Sequence, residues 1–217
     1  MLIVTVLAIA TAALPAAVPE AGGLVVHGSP QDRSDLMAKI EATRARSPVF
    51  DHAWRELEAH PEPVHLAVGR DLAVTGGPTA GFVQIDAFEY GLYEGQARRA
   101  RGWQVLDLDD LDALPERPSA GQPQAQDQGA SLVHAVVELL EGIRHDRSRS
   151  AERYDHAHRA ALRAENAYRI EQGQATQAST RVHRERDSTR WVVRYRDGST
   201  ETLTWREGRL VHVGFGG

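Results

Sequence analysis

Gly129-Ala130-Ser131-Leu132-Val133-His134-Ala135-Val136-Val137-Glu138-Leu139-Leu140-Glu141-Gly142 is an apolar run of helical character that carries three groups an apolar helix does not carry freely. Positions i, i+4 and i+7 project from one helix face, so His134, Glu138 and Glu141 line up while valines and leucines cover the remaining sides. Burying a carboxylate beside an imidazole is costly unless something pairs with them. Two pairings meet that need. One is a hydrogen bond from His134 to Glu138; the other is a divalent metal, since an imidazole and a carboxylate oxygen one turn apart both reach a single zinc.

The surrounding chain narrows the chemistry. With 217 residues, 41% hydrophobic and 25% charged, it is long and apolar enough for one ordinary globular domain with appendages, which excludes a disordered chain. It has no cysteine, so any metal rests on His, Asp and Glu. The formal net charge of -5 argues against general attraction to nucleic acid or to anionic membranes, and no nucleic-acid partner is expected.

Met1 to Ala17 reads MLIVTVLAIATAALPAA, an apolar run followed by small residues, like the hydrophobic and cleavage regions of a secretory signal peptide. A membrane span needs roughly 20 apolar residues, and Pro15 and Pro19 cut this run short. The expectation is a signal peptide over residues 1–22, a secreted or periplasmic mature protein with no stable membrane span, and a cytoplasmic protein as the alternative.

Leu24-Val25-Val26 is a short strand, and Asp32 to Arg46 a helix with Leu36 and Ile40 on its inner face. A second helix follows with Phe50, Trp54 and Leu57 aligned, ending at His60-Pro61. Val64–Val68, Gly81–Ile85 and Trp103–Leu108 read as strands, the last leading into an acidic helix start, Asp107 to Asp112. That acidic run lacks the glycine and terminal glutamate of a calcium loop. Pro115 to Gln128, rich in Pro, Gln, Ser and Gly, is a loop before the His134 helix.

A long helix from about Tyr154 to Gln172 is closed by Gly173. Four short strands then follow, Arg181–Arg186, Thr189–Arg196, Thr200–Arg206 and Arg209–Phe215, with Asp197-Gly198 signalling a type I′ hairpin turn. The fold class is α+β, with residues 23–173 as the main domain and 174–217 as an antiparallel meander that sets Trp191, Val193 and Tyr195 on one face.

The long helix brings His156, His158, Glu165 and Asn166, and His158 and Glu165 at i and i+7 share a face. A helical hairpin sets that face opposite His134 and Glu138. The resulting candidate ligands are His134, Glu138 and His158, with Glu165 or His156 in reserve: three protein ligands and an open position for water, as a catalytic zinc site needs. The plain alternative is a buried His134–Glu138 pair, solvent-exposed His156 and His158, and Glu165 and Asn166 bonding between helices.

With these residues the chain resembles the zincin metallopeptidases, and most nearly their bacterial effector-type branch. In that branch a strand and helix precede an apolar HExxHA helix and a later helix reads AxxAEN. The matching residues are Val25 to Pro48, Ser131-Leu132-Val133-His134-Ala135 and Ala161-Leu162-Arg163-Ala164-Glu165-Asn166. The motif fits in two registers. With His134 as the first histidine, Ala135 stands at the general-base position and Glu138 at the second histidine. With His134 as the second, Ala130 replaces the first ligand and Ser131 the base.

The resemblance implies a zinc-dependent hydrolase acting on a peptide or protein. The missing base removes a contribution of roughly 100-fold to 10,000-fold, so weak or lost activity is expected, with Glu141 the substitute base in the first register. The alternative is a noncatalytic secreted binding module whose meander offers an edge strand to a protein partner.

Overall fold

The computed structural model describes residues 23–70, 83–84, 103–117, 126–144, 151–206 and 209–216. Residues 1–22, expected to be a signal peptide, lie outside these residues, as do most of the expected Gly81–Ile85 strand and the middle of the loop before the His134 helix. The chain is mixed α+β. In order it forms β1 (Gly23–His27), α1 (Pro30–Arg44), α2 (Pro48–Glu58), β2 (Pro63–Gly69), β3 (Val83–Gln84), β4 (Trp103–Asp107), α3 (Leu108–Asp112), α4 (Gln128–Arg144) and α5 (Ala151–Glu171). The meander β5 (Gln177–Arg184), β6 (Ser188–Tyr195), β7 (Thr200–Arg206) and β8 (Arg209–Gly216) completes it.

Helix starts follow local chemistry. Ser29 and Ser47 cap α1 and α2 through hydroxyls that accept the Asp32 and Phe50 N–H groups, both at 3.1 Å, each followed by a proline in the first turn. Asp107 ends β4 one residue short of the expected Leu108, because its carboxylate accepts the Asp109 N–H at 2.9 Å and starts α3. Asp127 caps α4 in the same way, accepting from Ala130 at 2.7 Å.

The first sheet has the order β1-β2-β4-β3, with the first three strands parallel and β3 antiparallel. Leu24, Val26, Val64, Leu66, Val68 and Leu106 point from one face into the helices. Helix α4 lies centrally, with α5 along it and α1, α2, β3 and β4 also in contact. It is buried nearly all round, which explains a sequence without a broad polar stripe. Gly129 is required there, since a Cβ would stand 2.2 Å from the Tyr168 hydroxyl. Among the described residues no helix is long and apolar enough to cross a membrane.

The second sheet is the expected meander, in the order β5-β6-β7-β8. Its first strand starts and ends earlier than the periodicity suggests, at Gln177 and Arg184. The β6–β7 turn is not type I′. The Gly198 N–H bonds the Tyr195 carbonyl at 3.2 Å and the Tyr195 N–H bonds the Ser199 carbonyl at 2.9 Å, so Arg196 and Asp197 are central. Gly198 then takes the left-handed position, φ +92°, as in a three-residue hairpin loop. Val193, Tyr195, Leu203 and Trp205 join the same hydrophobic core as the helices.

Candidate metal centre

Helices α4 and α5 form an antiparallel pair whose facing sides carry the candidate ligands. His134 Nε2 lies 3.0 Å from Glu138 Oε2 and 3.2 Å from His158 Nδ1, and His158 Nδ1 lies 3.6 Å from Glu138 Oε1. Tetrahedral zinc, with bonds of about 2.0–2.2 Å, holds neighbouring ligand atoms roughly 3.3–3.6 Å apart. The imidazole–imidazole distance and the closest approach of each imidazole to the carboxylate lie near that range, and with one ligand atom from each residue His134, Glu138 and His158 form a group, within 4.8 Å of one another, that could hold a metal ion. This group contains the two α4 residues, His134 and Glu138, that stand at ligand positions in the first register. In the second, Ala130 and Ser131 are fully buried at the start of α4, where the Ser131 hydroxyl accepts from Gln126 Nε2 at 3.1 Å.

Glu138 shows what the cluster lacks. Its side chain is 0% exposed, yet neither carboxylate oxygen accepts a hydrogen bond of good geometry among the described residues. His134 Nε2 stands between Glu138 Oε2 at 3.0 Å and His158 Nδ1 at 3.2 Å, so one proton is shared between two acceptors and no bond to the carboxylate is well aligned. A buried carboxylate in that state is expensive, and a cation at the centroid of the three groups would satisfy it.

Glu165, a candidate ligand, stays outside the three-ligand group and bonds between the helices, as the plain alternative had it. Its Oε2 is 3.0 Å from His134 Nδ1, the ring nitrogen on the far side from Glu138 and His158. It therefore stands behind the imidazole, where a carboxylate fixes the tautomer and aims Nε2 at a metal. Glu141, the candidate base, pairs with Arg144 at 2.7 Å and His156 at 3.6 Å, one turn beyond the cluster. His158 is 34% exposed, so the cluster meets solvent on the α5 side.

Charge sets the proton positions. Burial alone would depress the His134 pKa, but Glu138 and Glu165 outweigh it and raise the value to about 9. Burial pushes the Glu138 and Glu165 carboxyls up; His134 with His158 pulls the first below the usual range, and His134 with Arg169 pulls the second.

Sequence reasoning missed the support behind Glu165. Arg169, fully buried, donates through Nε and Nη2 to Glu165 Oε1, both at 3.2 Å, and through Nη1 to Gln174 at 3.3 Å. Its Nη2 also donates to Gln126 Oε1, and its guanidinium carbon lies 4.9 Å from the Tyr195 ring centre. The Gln126 N–H in turn donates to both Glu201 oxygens, at 3.0 and 2.8 Å, and the Tyr195 hydroxyl donates to Glu201 at 2.7 Å. The one sequence signal was the Glu165–Arg169 spacing of i, i+4. Nothing local marked Gln126 or Glu201.

The chain matches no family model, no curated protein and no solved structure, so the reading of this site stands on its geometry.

Proposed function

We propose that this protein is a metallopeptidase-like zinc binder, with the ion held by His134, Glu138 and His158 and with hydrolysis weak or absent. The observation that carries the reading is the buried Glu138 carboxylate, which has no well-aligned hydrogen bond while two imidazole nitrogens stand at zinc-edge distances from it. His134 would serve as a neutral ligand through Nε2 and pass its Nδ1 proton toward Glu165. The metal, when bound, would supply Lewis acidity and lower the pKa of a bound water. Ala135 offers no proton acceptor, and Glu141 is engaged by Arg144 and His156, which supports weak or absent turnover. The substrate or partner class under this reading is a peptide or protein, and the setting secreted or periplasmic.

Metal content by mass spectrometry on purified protein, wild type beside His134→Ala and His158→Ala, tests the reading. Stoichiometric zinc in the wild type, lost in both variants, is the expected result. A wild type that stays metal-free after zinc dialysis overturns it. In zinc-loaded protein, Ala135→Glu is expected to raise peptidase activity by about 100-fold or more, measured with a quenched-fluorescence peptide library.

A further inference from the structure

Strand β5 is an edge of the meander, bonded to β6 on one side, and every residue from Ala178 to Arg184 is exposed. Thr180, Val182 and Arg184 stand on its inner face, and Ser179, Arg181 and His183 on its outer face. On the inner face Val182, 47% exposed, stands opposite the half-buried Trp191, which pairs with the buried Leu203. These residues make an apolar shelf that runs from the core to the open side of β5. The buried Trp191 Nε1–H finds no acceptor among the described residues.

On the outer face, Arg181, His183, Arg190 and Arg194 are exposed and the registers set them side by side. None forms a salt bridge with a carboxylate among the described residues, and within β5, β6 and β7 no acidic residue falls on that face, Glu185 following just past the end of β5, where its N–H donates to the Ser188 carbonyl at 2.8 Å. On the helices, by contrast, Arg44, Arg55, Arg144 and Arg169 each hold a carboxylate.

The other edge is a poorer template. β8 pairs through a register shift at Thr204/Trp205, contains Gly214 and Gly216, and is held at its start by Asp110, which accepts the Leu210 N–H at 2.8 Å. Bulges and anchored ends blunt an edge. β5 has its irregularity at Gln177/Ser179, where Asn166 holds the Gln177 backbone, and is regular from Ser179 to Arg184.

We propose that β5 receives an extended peptide as a fifth strand, one whose alternate residues are apolar and acidic. Backbone hydrogen bonds to the open edge supply affinity, and side-chain alternation supplies selectivity. The apolar side chains lie along Val182 and Trp191, and the acidic ones face Arg181, His183 and Arg190. A nucleic acid or an anionic membrane would use only the cationic face and leave the shelf empty. The proposal rests on the meander alone and holds whether or not the helices bind zinc.

The test uses the full chain and fluorescein-labelled octapeptides read by anisotropy, one alternating valine and glutamate, the other valine and lysine. The glutamate peptide is expected to bind and the lysine peptide to bind about tenfold more weakly or not at all. Arg181→Glu with Arg190→Glu should reverse that order. Val182→Glu, at a site 47% exposed where the circular dichroism is expected to stay that of the wild type, should weaken the glutamate peptide about tenfold. Arg181→Gln with Arg190→Gln should weaken that peptide without favouring the other. Equal binding of the two peptides, no binding of either, or indifference to Val182→Glu overturns the proposal. So does tighter binding of a random-sequence DNA duplex or of phosphatidylserine vesicles that depends on the arginines and not on Val182.

Discussion

His134 holds its proton to about pH 9 in the metal-free protein, because the attraction of Glu138 and Glu165 outweighs burial. A folded pKa raised above the ordinary histidine value of 6.5 gives stability that is complete below pH 6.5 and is lost as pH rises through 9. The metal-free protein is therefore expected to lose about 3 kcal/mol of unfolding free energy across that window. His134→Gln removes the dependence. The zinc-bound protein should instead gain stability over the same window, since metal and proton compete for the imidazole. Urea unfolding at a series of pH values reads all three, and a metal-free profile identical in wild type and His134→Gln would rule out the assignment. At this scale much was legible. The i, i+4 spacing of His134 and Glu138 fixes their proximity from local geometry alone. The role of Glu165 was not legible, because which ring nitrogen it meets depends on how α5 is rotated against α4.

Helix α5 holds the cluster through two side chains one turn apart. Glu165→Gln keeps a hydrogen-bonding group behind His134 but removes its charge. Zinc affinity should fall about 10- to 100-fold while saturating metal still gives the wild-type stoichiometry; a loss of stoichiometry would make Glu165 a direct ligand. Arg169→Met leaves the buried Glu165 with His134 as its remaining cationic partner and takes a nearby positive charge from Glu201, and should cost about 3–5 kcal/mol in denaturant unfolding. The close of α5 was readable from Gly173, whose left-handed geometry is local, whereas α1 runs Pro30–Arg44, two residues ahead of the expected Asp32–Arg46 at both ends, because Ser29 caps it. The β6–β7 turn was not, because Asp-Gly suits two hairpin loops and the ladder register decides between them.

One hydrophobic core unites both sheets and the helices, with Trp54 of α2 and Trp205 of β7 both fully buried in it. Unfolding should therefore be a single transition, with coincident midpoints by far-ultraviolet circular dichroism and by tryptophan fluorescence in Trp54→Phe and Trp205→Phe variants. Separate midpoints would mean that the meander melts apart from the helices. The alternation of β6 and β7 announced an apolar face but not what it packs against, since burial partners distant in sequence leave no periodic trace. Total charge misled in a related way: the value of -5 averages over the whole chain and conceals a meander face without acids.

The Glu201 carboxylate grips the backbone N–H of Gln126 across 75 residues. During synthesis, then, α4 and α5 leave the ribosome before the strand that secures the start of α4 exists. A chain paused in that interval has Arg169 without Tyr195 and Gln126 without its acceptor. The contact that secures the start of α4 therefore waits until β7 has emerged, and is among the last long-range contacts to form.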